Sequence, residues 1–215
     1  MKPQLADWTV VLPGSWNPSI FTPDWIRHNL VELEEDEKII GEILVGPIAG
    51  PIKYLTNDYI IIPSADKLII GIRRLTEGIE TNLGEVAKKT LELLKHTPIV
   101  SLGVNYGYIE NEPNAELLAV FDLSDTPNLS DNGCDIQTTR ITRKIILGEN
   151  ILNLNLSYEN ANVYFHCNFH KDVENANAAV AAIGENLPNF RQLSENLITN
   201  SYNLELENLE ENNDE

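Results

Sequence analysis

The stretch from Ile151 to His170 constrains this chain more than any other. Leu152, Leu154, Leu156 and Tyr158 alternate with Asn153, Asn155 and Ser157. After Glu159-Asn160-Ala161-Asn162, the apolar residues Val163, Phe165, Cys167 and Phe169 alternate with Tyr164, His166, Asn168 and His170. Successive side chains of a strand point to opposite faces of its sheet, so this period of two predicts a β-hairpin with one dry face and one wet face. The dry face has to be covered. Asp172 or Asn175 is placed to cap an alanine-rich helix over 173–183. Gly184 and Pro188 are expected to break it before a second helical stretch that carries Phe190, Leu193, Leu197 and Ile198.

The same order occurs earlier in the chain. Runs over 58–63 and 67–73 flank Ser64-Ala65-Asp66 and read as a hairpin. Ile79, Leu83, Val86, Thr90, Leu93 and Leu94 then recur at three- and four-residue spacing, which predicts a helix closed by Pro98. A hairpin followed by a helix, twice over, at 58–96 and 151–201, predicts the α+β class: an antiparallel sheet with helices packed on one face. Further strands are expected over 8–12, 39–45, 99–109 and 116–122, with a mostly polar edge strand over 136–147. Thr22, with Pro23 behind it, caps a short helix through Leu30. Residues 46–51 and 123–133 read as loops. This gives a single domain over 1–203, with internal halves at 1–110 and 111–203, and a frayed acidic tail over 204–215.

Charge narrows the functional classes. Fifteen Lys and Arg against 33 Asp and Glu leave a net charge of −18. That argues against direct nucleic-acid binding, which uses a basic face, and against attraction to anionic lipid. It suits encounter with a basic partner protein, and it also serves solubility. One acidic run, Glu32, Glu34, Glu35, Asp36 and Glu37, reads as a solvated loop. The N-terminus lacks the basic-then-apolar pattern of a secretory signal. No apolar run approaches the roughly 18 residues of a membrane span. A cytoplasmic location without membrane attachment is therefore expected, with Cys134 and Cys167 as free thiols.

Chemistry-bearing motifs are sparse. His166 and His170 share a strand face while Cys167 points the other way, and no further ligands are placed beside them, so neither metal nor cofactor is expected. Phe165 and Phe169 put Cys167 on the dry face, where a thiol is inert. The acidic residues between Asp122 and Asp135 lack the ligand spacing of a calcium loop. Gly46 to Gly50 lacks the lysine and helix start of a phosphate loop. No catalytic residue is nominated on these grounds. The candidate binding residues are Trp16 and Trp25, as aromatic anchors for a partner or for the N-terminal arm itself. Asn153, Asn155, His166 and His170 join them as polar contacts on the wet face.

Trp16-Asn17-Pro18-Ser19-Ile20-Phe21, followed by Asp24-Trp25, resembles the N-terminal segment of the export chaperone family SecB, which is also acidic and α+β. That resemblance implies a holdase with exposed apolar grooves. The reading from the residues is a non-enzymatic protein-binding module, an adaptor or immunity-type protein that engages a partner protein, with homo-oligomers compatible with it. A holdase, an acidic nucleic-acid mimic, and an enzyme built around His166 and His170 are the other readings.

Overall fold

Among the described residues, backbone pairing gathers the alternating segments into one antiparallel sheet of ten strands. The computed structural model describes residues 1–33, 36–43, 50–76 and 78–207. Glu34 and Glu35 of the first acidic run, residues 44–49 of the predicted strand and loop, and tail residues 208–215 lie outside the described residues. In chain order the elements are β1 (Lys2–Pro3), β2 (Thr9–Pro13), α1 (Pro23–Asn29), β3 (Ile40–Glu42), β4 (Lys53–Leu55), β5 (Tyr59–Pro63), β6 (Lys67–Ile72) and α2 (Ile79–Leu93). They continue as β7 (Ser101–Glu110), α3 (Ala115–Ala119), α4 (Thr126–Asp131), β8 (Thr138–Leu147), β9 (Asn150–Glu159), β10 (Asn162–Asp172) and α5 (Ala176–Tyr202).

The spatial order is β3-β4-β5-β6-β2-β7-β10-β9-β8, with β1 on β7 beside this path. The hairpin-then-helix unit is present twice, as β5-β6-α2 and β9-β10-α5. Apart from β1, each half places first the strand at the middle of the sheet, β2 or β7, and then adds strands from the edge inward. Its long helix comes last. The two central strands pair antiparallel, Val10 opposite Val104.

One parity is buried along β2, β5, β9 and β10, both parities are buried along most of β7, and β8 at the edge has no buried residue. Val10, Leu12, Ile61, Leu68, Ile70, Val104, Leu154, Phe165, Cys167 and Phe169 are all at 1% exposure or less. They share one core with Ile79, Leu83, Ala87 and Leu91 of α2 and with Ala179, Ile183, Leu187, Phe190 and Ile198 of α5. Phe169 stacks on Phe190 at 4.4 Å between centroids, and Phe165 meets Tyr202 edge-on at 5.0 Å. α2 and α5 also pack on each other. Among the described residues no helix is long and apolar enough to cross a membrane.

The local signals for α1, α2 and the two hairpins are realised. Thr22 Oγ1 accepts from the Trp25 amide at 3.1 Å, and Asn175 Oδ1, rather than Asp172, accepts from the Ala178 amide at 3.0 Å. Three expectations are corrected. Residues 115–119 form a helix rather than a strand, because Asn114 Oδ1 caps it by accepting from the Leu117 amide at 2.8 Å. The loop predicted over 123–133 contains the short helix α4. α5 runs unbroken through Gly184 and Pro188. An internal proline costs a helix about 3 kcal/mol, and each large apolar side chain buried on the sheet stabilises by about 1.5–3 kcal/mol. Ile183, Leu187 and Phe190 on either side of the proline outweigh it.

Residues 204–207 meet the N-terminus. The Met1 amino group donates to the Glu205 carbonyl at 2.8 Å and lies 3.2 Å from the Glu110 carboxylate. Leu204 is buried, and the Glu207 amide donates to the Met1 carbonyl at 2.9 Å. The described start of the predicted tail is thus held against the N-terminus.

The β9–β10 turn generates a prediction. Asn160 and Ala161 both have left-handed backbones, with φ of 51° and 63°. A two-residue hairpin loop prefers Asn-Gly, and Ala161 meets a steric cost there that glycine lacks. Ala161→Gly is expected to stabilise the protein by about 1 kcal/mol, net of glycine's freer unfolded chain, read as a higher urea midpoint at unchanged slope.

Candidate functional site

The register puts the other parity of the strands on a second face, half-buried or exposed over most of β2, β5, β10, β9 and β8 and buried along β7 at Ser101, Gly103, Asn105 and Gly107. Across its middle, Ile60, Gly71, Thr9, Asn105, Asn168, Asn153 and Lys144 stand in one row. The next row holds Ile62, Ile69, Val11, Gly103, His170, Ile151 and Ile146. The face has two chemistries. Ile60, Ile62, Ile69 and Val11 make its β5-β6-β2 part apolar, and all four are half-buried. The part over β7, β10, β9 and β8 is dominated by amides, hydroxyls and imidazoles.

Those amides are bonded to one another. Asn153 Nδ2 donates to Asn168 Oδ1 at 3.1 Å, Asn168 Nδ2 to Asn105 Oδ1 at 2.7 Å, and Asn105 Nδ2 to Thr9 Oγ1 at 2.9 Å. One chain of hydrogen bonds therefore crosses four strands, β9, β10, β7 and β2. Its members are register partners, so strand pairing alone brings them into reach. Thr142 Oγ1 donates to Asn155 Oδ1 at 2.8 Å in the adjoining row. Linked amides polarise one another and fix one another's rotamers, which gives this part of the face a set pattern of donors and acceptors. On this face Gly71 and Gly103 carry no side chain, while Gly107 is covered by Asp7, whose Cβ would lie within 2.5 Å of a Cβ at that position.

The acidic excess lies elsewhere. Strand residues on this face include the cations Lys2, Lys53, Lys67, Arg140 and Lys144, against the carboxylates Glu42, Glu159 and Asp172.

Of the six residues predicted from sequence, four meet here: Asn153, Asn155, His166 and His170. His170 Nε2 lies 3.0 Å from Asp172 Oδ1. The two histidines share the face but not a site. At about 3.3 Å per residue their Cα atoms lie about 13 Å apart, with Asn168 between them. Among the described residues no group of three or more His, Cys, Asp or Glu side chains is placed to hold a metal. Trp16 and Trp25 stand apart from this face. Trp16 is 5% exposed, donates from Nε1 to the Leu12 carbonyl at 2.8 Å, and packs edge-on to Phe21 at 6.1 Å. Phe21 in turn meets the half-buried Trp25 at 5.2 Å. This aromatic cluster docks the N-terminal arm on its own domain. Sequence reading missed Thr9, Asn105 and Asn168 as members of the ladder, because their partnership depends on pairing between distant strands.

Cys167 lies on the covered face at 0% exposure. Burial pushes its thiol up to about 12, against a smaller lowering by Ser194. An unfolded thiol titrates near about 8.5, so the unfolded state loses this proton first as pH rises. The contribution of Cys167 to stability is full below about 8.5 and declines as pH climbs toward 12.

Comparison with known proteins does not extend this geometry: no family model matches the chain, and no curated protein matches it. The resemblance of residues 16–25 to SecB therefore stands on those residues alone.

Two outcomes follow. Iodoacetamide at pH 8 should modify the exposed Cys134 in the folded protein and leave Cys167 intact until denaturant is added. Asn168→Ala removes the middle of the ladder and leaves Oδ1 of Asn105, a residue 9% exposed, without its donor. It should cost about 1–3 kcal/mol in chemical denaturation, whereas Asn155→Ala, at an exposed residue of the adjoining row, should cost less than about 1 kcal/mol.

Proposed function

We propose that the chain is a non-enzymatic protein-binding module, of the adaptor or immunity type, and that the open sheet face is its docking surface. The observation that carries this reading is the one-sided cover. The long helices seal one face, while the other presents an apolar part beside amides whose rotamers are already fixed. A surface with an apolar centre and pre-set polar groups is what a protein interface uses, and pre-organisation lowers the entropy cost of binding. The net charge of −18 favours a basic partner during encounter, and the face then supplies the short-range contacts. The candidate residues are Asn153, Asn155, His166 and His170 together with Asn168, Asn105, Ile62 and Ile69. A cytoplasmic setting suits the free thiols.

The apolar part formed by Ile60, Ile62, Ile69 and Val11 also suits a second reading, a holdase of the kind implied by the resemblance to SecB. The two readings separate by partner number. A docking module takes one folded partner in fixed stoichiometry, and a holdase takes many unfolded chains.

The test is affinity purification with the full chain, with face variants Ile69→Glu and Asn155→Arg, and with Lys89→Glu on the exposed side of α2 as control, each verified as folded by circular dichroism. One stoichiometric partner should be retained by the parent and the control. Its affinity, remeasured with purified proteins, should fall at least about tenfold in the face variants. Equal binding by the face variants contradicts the proposal, and capture of many unfolded chains favours the holdase.

A further inference from the structure

The two halves of the sheet differ in width. Outward from the centre, the first runs β2, β6, β5, β4, β3, and the second runs β7, β10, β9, β8 and stops. β8 holds the place that β4 holds in the first half, and among the described residues no strand stands beyond it where β3 stands beyond β4. β8 is ten residues long, contains no proline, and pairs with β9 in unbroken register from Thr138↔Glu159 to Leu147↔Asn150. Its other row of amide and carbonyl groups is therefore turned outward along a regular edge, the geometry that accepts an added strand.

The first half shows what kind of strand this sheet takes at that position. Glu42 of β3 stands directly opposite Lys53 of β4, with Nζ 3.6 Å from the carboxylate. On β8, Arg140 and Lys144 lie on the same open face, four residues apart and exposed, without an ion pair among the described residues. Arg143 faces the other way and donates to the Tyr202 hydroxyl at 2.7 Å. No acidic residue interrupts the strand. Two β8 edges from separate copies are a poor match, because joining them brings both sets of Arg140, Arg143 and Lys144 into one ribbon, and like charges across strands destabilise.

We propose that the outer edge of β8 takes up an extended segment of a partner protein as an added strand, one whose open-face side chains include carboxylates four residues apart that meet Arg140 and Lys144 as Glu42 meets Lys53. The inference stands on the sheet edge and its charges and does not depend on the open face being the main docking surface.

Amide hydrogen exchange on the full chain tests it. The probe is a ten-residue peptide of valine and threonine with two glutamates four residues apart, compared with the same peptide carrying lysines at those places. The glutamate peptide should slow exchange at the outward amides of β8 at least about tenfold when bound, since a paired amide opens far less often than a solvated one. The lysine peptide should leave exchange unchanged. Arg140→Glu combined with Lys144→Glu should weaken the glutamate peptide about tenfold, by two exposed pairs reversed, and should bind the lysine peptide in its place. This exchange of preference also shows that the variant is folded. Four results overturn the inference: no slowing with either peptide, equal slowing with both, slowing that appears without peptide as protein concentration rises, or slowing without peptide that disappears when residues 208–215 are removed. The third assigns the edge to a second copy and the fourth to the chain's own C-terminal segment.

Discussion

The pairing of β2 with β7 holds this molecule together. These two strands join the halves, and their register, Thr9↔Asn105, Val10↔Val104 and Val11↔Gly103, sets both faces at once. On one side Val10 and Val104 lie at 0% and 1% exposure within the core that α2 and α5 close. On the other, the Thr9–Asn105 hydrogen bond carries the amide ladder of the second half onto the first. A slip of one residue would exchange the two sets, exposing the valines and burying the amides. The seam is thus specified by burial from above and by hydrogen bonding from below.

One-sided cover follows from the sequence of each half. The strands β2, β5, β9 and β10 each have one oily, buried parity, and each half ends in one long helix. Two helices suffice for one face of ten strands because they also pack on each other. Gly84 is where they come close: a side chain there would touch Ile183 and Leu187 at about 3.5 Å. The Trp8 ring adds a tie between the layers, donating from Nε1 to the Gly107 carbonyl at 3.0 Å while the Arg191 guanidinium lies 5.1 Å from its centroid. The amides of the second face are held in place by strand pairing and by their bonds to one another.

Local signals carried most of the elements. The alternation over 152–170 specified a hairpin and its faces, since period two has no other reading over that length. Thr22 and Asn175 marked helix starts because an N-cap acts within three residues. Where several weak signals competed, the sequence misled. Leu117, Leu118 and Val120 read as strand, and only the cap bond from Asn114 shows that the turn is helical. Gly184 and Pro188 read as breaks because their cost is local, while the packing that overrides it comes from the sheet beneath. The candidate site was half legible. Asn153, Asn155, His166 and His170 share one face by parity alone, but their partners Asn105 and Thr9 lie far away in sequence, and strand order is a non-local property. The tryptophans illustrate the converse: Trp16 carried the chemistry of an interface anchor and fills the chain's own core.

One face of this sheet is sealed by helices, and the other is turned toward solvent. Hydroxyl-radical footprinting along β10 tests it most directly, because residues of comparable reactivity alternate there between the two faces. The account predicts strong modification of Tyr164, His166 and His170 and protection of Phe165 and Phe169 in the folded protein. Equal protection of both sets would mean that the second face is covered, and modification of the phenylalanines with protected histidines would reverse the assignment of the faces.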